Sequence, residues 1–218
     1  MIGRDSAVRM GAKRQIMVEI VNTPRLVLRP LQDSDAEPLF ALLANWSVVQ
    51  FLATPPWPYS IDDARSFIDR HRRLATSERA LAITLNGRLI GCIGLPTRQA
   101  GRTQRASGPH LAYWLGVPHW GRGYATEAAR GLLSHAFETL EGDTIYSGVF
   151  TENSASMHVQ RKLGFVHDGE TTLYSRPRGA ELPHTNTSLT RAGFEAVCRY
   201  HHALRKSPTC LAKSAKIG

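Results

Sequence analysis

The segment Trp114-Leu-Gly-Val-Pro-His-Trp-Gly-Arg-Gly-Tyr-Ala-Thr-Glu-Ala128 reads as a strand running into a helix through a loop that holds Gly121 and Gly123. Leu111–Val117 is apolar and aromatic and bounded by Pro109 and Pro118, as a buried strand is. Ala125–Thr139 carries Ala128, Ala129, Leu132, Leu133, Ala136 and Phe137 on one side, an amphipathic helix starting near Tyr124. Glycines in such a loop let successive backbone N–H groups turn inward. The helix N-terminus adds about half a positive charge, so the place suits a phosphate or pyrophosphate. Arg122 offers a charged contact or simply faces solvent. The Gly-x-Gly pattern alone equally describes a tight strand-to-helix turn. The loop lacks the Lys-Ser/Thr of a P-loop, and it has one glycine too few for a dinucleotide fingerprint.

Working outward, Arg25-Leu-Val-Leu-Arg-Pro30 alternates and ends at proline, a short strand. Asp33-Ser34-Asp35 offers caps to a helix carrying Leu39, Phe40, Leu42 and Leu43. Thr54–Tyr59 holds three prolines and is a loop. Ser60 and Asp63 stand in capping-box positions ahead of Ile61, Ala64, Phe67, Ile68 and Leu74 at helical spacing. Ala80–Leu85 and Arg88–Leu95 flank Asn86-Gly87, a strong hairpin signal. Gln99–Gly108 is polar and reads as a mobile loop. Thr144–Phe150 is a strand, and Ser154–Leu163 is a helix ended by Gly164. Thr171–Ser175 and Thr187–Thr190 close the sheet as short strands, with Arg176–His184 as the loop between them. The order β-α-α-β-β-β-α-β-α-β-β predicts an α/β (α+β) fold: one mixed, mostly antiparallel sheet with helices on both faces.

The wording of the glycine loop resembles motif A of the GCN5-related N-acetyltransferase (GNAT) superfamily, Arg/Gln-x-x-Gly-x-Gly/Ala. Trp120 replaces the Arg/Gln that leads the motif, ahead of Gly121-Arg122-Gly123-Tyr124-Ala125, a departure that resembles the ribosomal-protein N-acetyltransferase (RimJ/RimL-like) branch. Thr23-Pro-Arg-Leu-Val-Leu-Arg-Pro30 with Asp35 is similar to that branch's opening strand and helix. Tyr113-Trp114-Leu115 is similar to its fourth strand, Asn153–Ser156 with Lys162–Phe165 to its motif B, and Leu189-Thr-Arg-x-x-Phe194 to its closing segment. The match spans about Thr23 to Phe194.

The resemblance implies a GNAT fold with a splay between strands 4 and 5, and acetyl-CoA as acyl-donor cosubstrate with no metal. Its pantetheine arm would pair with backbone of Leu115 and Val117. The pyrophosphate would sit on the amides of Trp120, Gly121, Arg122, Gly123, Tyr124 and Ala125, reaching Thr126. Asn153 would bond the pantetheine arm, or cap the helix after it. Ser156 would lie near the thioester sulfur, or bond its own turn. Many members supply a general acid from a tyrosine four residues before the Gly-Phe; Gln160 stands there and cannot serve, which leaves Ser156 or water. His110 and Glu152 are candidates for the general base, and the Trp57–Tyr59 loop for a wall of the acceptor site. The implied acceptor is a protein N-terminal α-amine, with a ribosomal protein as partner. A small amine (aminoglycoside, polyamine or amino acid) is the alternative within the enzyme class. A non-catalytic CoA- or RNA-binding module is the alternative outside it. Family members are often homodimers.

Across 218 residues the net charge is +9. The first 22 residues hold four bases and two acids, and residues 199–218 hold five bases and no acid. That leaves 18 bases against 16 acids between them, so the surplus sits on the ends and only the basic tail invites a nucleic-acid partner. The expected organisation is an N-terminal extension 1–22, a catalytic domain 23–198 and a basic tail 199–218, frayed and then disordered. No apolar run approaches the roughly 20 residues that span a bilayer, so no membrane partner is expected. Cys92, Cys198 and Cys210 form neither a disulfide framework nor a zinc site, and fit a reduced, cytoplasmic setting.

Overall fold

A computed structural model describes residues 20–75, 78–97 and 108–206. The extension through residue 19, most of the polar Gln99–Gly108 segment, and residues 207–218 of the tail with Cys210 lie outside the described residues.

The chain runs β1 (Val21–Asn22), β2 (Leu26–Pro30), α1 (Ala36–Leu43), α2 (Trp46–Val49), α3 (Ile61–Arg73), β3 (Ala80–Leu85), β4 (Arg88–Gly94), β5 (Ala112–Leu115), α4 (Tyr124–Thr139), β6 (Thr144–Phe150), α5 (Ser154–Leu163), β7 (Val166–Ser175), β8 (Ala180–Thr190) and α6 (Arg191–Lys206). The first five strands form one antiparallel sheet in chain order, and the last three form a second in the order β6-β8-β7. The two meet at one parallel bridge, His110 to Tyr146. With β1 counted, the expected splay therefore falls between β5 and β6.

Alternation explains the layers. Leu26, Leu28, Leu81, Ile83 and Ile90 point to the side covered by α4, where Ala128, Ala129, Leu132, Leu133 and Ala136 complete a core with Ile145, Leu163 and Leu189. Ala82, Leu89 and Cys92 point the other way, against Leu39 and Leu43 of α1 and Ala64 and Ile68 of α3. Each fully buried Leu or Ile contributes about 1.5–3 kcal/mol. Asn86 and Gly87 both take positive φ, as a tight hairpin with right-handed strand twist requires. Gly91 of β4 has a different reason to be glycine: a Cβ there would lie 2.1 Å from the Trp114 carbonyl oxygen of β5. Ser60 and Asp63 exchange the two bonds of a capping box at α3, and Gly164 ends α5 at φ +95°.

Three readings change. The strand expected over Leu111–Val117 is shorter, because Val117–His119 tightens into a 3-10 turn after Gly116. The closing strands span 10 and 11 residues where five and four were expected, and only residues 176–179 turn between them. Their outer faces are polar, so no apolar pattern marked them. Pro183 fits inside β8 because its carbonyl faces the end of β6, accepting from Thr151 N–H just past that strand, where a missing N–H breaks no ladder bond. The helix α6 runs through Lys206, across the boundary drawn at residue 198. Its first residue, Arg191, donates to the Phe137 and Leu140 carbonyls and so caps the C-terminus of α4.

Candidate active site

The glycine loop and α4 stand as the sequence places them. Gly121 and Gly123 adopt φ of +71° and +79°, a region costly for other residues. A Cβ at Gly121 would meet nothing within 4 Å, and at Gly123 only an Arg25 Nη2 at 3.5 Å. Positive φ, rather than crowding, requires these glycines, and the space before them is open. Glu127 N–H makes the first intrahelical bond, to the Gly123 carbonyl. The amides of Tyr124, Ala125 and Thr126 thus lack intrahelical acceptors, and no side chain among the described residues caps this end. The Trp120 amide, by contrast, donates to the Val117 carbonyl inside the 3-10 turn.

Arg25 and Glu127 brace this loop across 102 residues of sequence. Glu127 accepts from the Thr23 hydroxyl (2.7 Å), the Arg25 amide (2.8 Å) and Arg25 Nε (2.6 Å). Arg25 also donates to the Arg122 carbonyl at 3.2 Å and stacks on Tyr124, its guanidinium 4.5 Å from the ring centre. Burial pushes the Glu127 carboxyl up, but the bonds from Thr23 and Arg25 outweigh it and hold the group below its ordinary value.

The gap beside β5 follows from register. Gly116 N–H bonds the Ile90 carbonyl, so alternate pairs to β4 are the bonded ones, and Tyr113 and Leu115 aim their amides and carbonyls away from β4. Upstream, Leu111 N–H still bonds the Tyr146 carbonyl. The Leu111 carbonyl then takes the Ser147 hydroxyl (2.8 Å) in place of a ladder amide, and the strands part. The Leu115 carbonyl accepts from the Trp120 indole at 2.7 Å. That carbonyl has an internal donor, which leaves the Leu115 amide as its gap-facing group toward a ligand.

The far wall is the start of α5. Asn153 Oδ1 accepts from Ser156 N–H (3.0 Å) and caps the helix. Ser156 Oγ lies 2.9 Å from the Tyr113 hydroxyl. Ser156, Asn153 and Tyr113 therefore converge, whereas His110 and Glu152 do not join them. His110 is buried, donates from Nδ1 to the Gly108 carbonyl (2.9 Å), and by alternation lies on the face of β5 opposite Tyr113. Glu152 is exposed and paired with Arg178 of the β7–β8 turn. The bond from Arg178 holds its carboxyl below the ordinary value. In the aromatic loop, Tyr59 is buried in the α1/α3 core and so cannot wall a site, while Trp57 is half-exposed beside Trp46, ring centres 5.1 Å apart. Sequence reading missed Tyr113, Arg25 and Glu127 as functional candidates. All three lie inside segments that carry the family resemblance, which was the available signal.

Residues 25–166 match the family model described as an acetyltransferase (GNAT) domain. The chain belongs to the GNAT acetyltransferase family. YoaA, an uncharacterized N-acetyltransferase of Bacillus subtilis, is 32% identical over 167 residues, which is 75% of this chain and 92% of the relative. A spermidine N(1)-acetyltransferase of Escherichia coli is 27% identical over 143 residues, 66% of this chain and 74% of the relative. Among solved structures, Mycobacterium smegmatis RimJ in complex with CoA-disulfide shares the fold at a TM-score of 0.69 and 23% identity, covering 85% of this chain and 93% of that one. Among the described residues no helix is long and apolar enough to cross a membrane, and no cluster of His, Cys, Asp and Glu could hold a metal.

Proposed function

We propose that this GNAT enzyme transfers the acetyl group of acetyl-CoA to a primary amine by direct attack, with a protein N-terminal α-amine as acceptor. The observation that carries the donor assignment is the uncapped N-terminus of α4 behind a positive-φ glycine loop, open toward the gap beside β5. The amides of Gly121 to Thr126 would take the pyrophosphate, with Arg25 bracing the loop. The Leu115 and Val117 amides and the Asn153 side-chain NH2 would line the pantetheine arm. Alignment of amine and thioester supplies most of the rate, and strand amides stabilise the oxyanion.

The acceptor reading rests on the weakness of the available bases. Glu152 is tied to Arg178 with its pKa lowered, and His110 faces away from Ser156. An acceptor that needs little deprotonation suits this site. About a tenth of an α-amine is neutral at pH 7, against roughly one lysine-type or polyamine nitrogen in 2,500. The kinship with a spermidine N(1)-acetyltransferase favours a polyamine as the second reading. Thiol release with acetyl-CoA, measured for peptides with free N-termini and for spermidine side by side, decides between them. The proposal expects higher kcat/KM for a peptide, with no turnover once its N-terminus is blocked. A preference for spermidine would replace the acceptor, and no release with any amine would overturn the activity.

A further inference from the structure

Gln160 stands where the resemblance expects a tyrosine, and its buried bonds lead to the point where β5 and β6 part. The two strands share one parallel bridge, His110 to Tyr146. Tyr146 N–H bonds the Pro109 carbonyl, and Leu111 N–H bonds the Tyr146 carbonyl. A ladder continued by two residues would run from Gly148 N–H to the Leu111 carbonyl and from Tyr113 N–H to the Gly148 carbonyl. The Leu111 carbonyl instead takes the Ser147 hydroxyl at 2.8 Å. Elimination fixes every donor from here. A carbonyl only accepts, so the one Ser147 hydroxyl hydrogen goes to Leu111. Ser147 Oγ must then accept from Gln160 Nε2 at 2.9 Å. That turns Gln160 Oε1 toward the Thr187 hydroxyl, which donates at 2.7 Å. Ser147, Gln160 and Thr187 are each at most 2% exposed, so water does not replace any of these partners.

We infer that Ser147, Gln160 and Thr187 are positioning residues that hold β5 and β6 apart, a wedge that keeps strand backbone free for the pantetheine arm of CoA. The inference rests on the acetyl-CoA reading above. The amide of Tyr113 already faces the gap by its register with β4. Tyr146 turns its N–H and its carbonyl toward β5, so by alternation Gly148 turns both of its own into the same gap. Without the Ser147 hydroxyl, the Leu111 carbonyl would lack a donor in a buried stretch, which is costly. The Gly148 amide is the donor that ladder register supplies. Taking it closes the strands over the groups the arm needs. Gln160 and Thr187 reach the wedge from α5 and β8, outside the two strands it separates, and keep the Ser147 oxygen supplied with a donor. All three act on the ligand only through the spacing of those strands.

Calorimetric titration of the full chain with CoA and with 3′-phospho-ADP, which is CoA without the pantetheine arm, tests the wedge. Ser147→Ala should weaken CoA about tenfold and leave 3′-phospho-ADP within about twofold of wild type. Thr187→Val keeps the shape of the side chain and removes the donor at the end of the chain. It should show the same selective loss, about threefold, with a melting transition like the wild type's. If Ser147→Ala does not fold, Thr187→Val carries the comparison. Adding Gln160→Leu to Ser147→Ala should weaken CoA no further. Unchanged CoA affinity in the folded variants, an equal loss for the two ligands, or losses that multiply in the double variant overturns the wedge and leaves the donor assignment intact. A wild-type chain that binds neither CoA nor 3′-phospho-ADP overturns the donor assignment and the wedge with it.

Discussion

Two helix N-termini face the splay between the sheets, and they are finished differently. The α5 end is capped by its own Asn153, whose carboxamide oxygen takes the Ser156 amide. The α4 end begins at Gly123, with no capping side chain among the described residues and with the Arg25–Glu127 pair bracing it from behind. Capping stabilises a helix by about 1 kcal/mol. A fold that uses a cap at one end and omits it at the other leaves the second set of amides without an internal acceptor. The same logic separates their chemistry: α4 suits an anion, and α5 presents a hydroxyl.

Filling the open end should have the largest effect. Gly123→Glu adds a side chain at φ +79° and a negative charge where phosphates would sit. It should abolish the rise in melting temperature that acetyl-CoA gives the wild type by mass action. Gly123→Ala separates strain from charge: it should cost about 1–2 kcal/mol of stability and retain a clear acetyl-CoA shift. Equal loss of binding in both variants would mean that backbone shape, and not charge, governs the loop.

Removing the cap should be milder. Asn153→Ala is expected to destabilise by about 1 kcal/mol in denaturant melts, and Asn153→Asp to restore most of it, since both oxygens cap. If aspartate restores stability while acetyl-CoA affinity stays low, the Asn153 NH2 serves the ligand. If affinity returns too, Asn153 is a cap alone.

The smallest effect concerns the brace. Glu127 has a depressed pKa, so its contribution is fully present above its ordinary value of 4.5 and is lost as pH falls through the lower folded value. Glu127→Gln should therefore be less stable than wild type at neutral pH, with the gap narrowing below about pH 4.5. A gap independent of pH would show that the ion pair contributes nothing through charge.

What could be read from sequence was local. Asn86-Gly87, the Ser60/Asp63 box, the apolar stripe of α4 and the Gly164 stop each depend on neighbours within a turn or two, and the structure repeats them. The polar strands β7 and β8 escaped because their outer faces are exposed, so periodicity marked only their ends. The site's supporting contacts escaped for another reason. Tyr113 meets Ser156 across 43 residues and Arg25 meets Glu127 across 102, and spacing carries no trace of such pairs. Gln160 was visible but read as the loss of an acid. Its part in the buried chain from Thr187 to Ser147 appears only when three elements are packed together.

The central claim is that the amides at the start of α4 hold a pyrophosphate. Calorimetric titration of the full chain with CoA and with pantetheine, which lacks the pyrophosphate and the nucleotide, tests it directly. Charge-assisted bonds from several amides should make CoA bind at least about 100-fold tighter than pantetheine. Equal affinities, or no binding of CoA, would contradict the account.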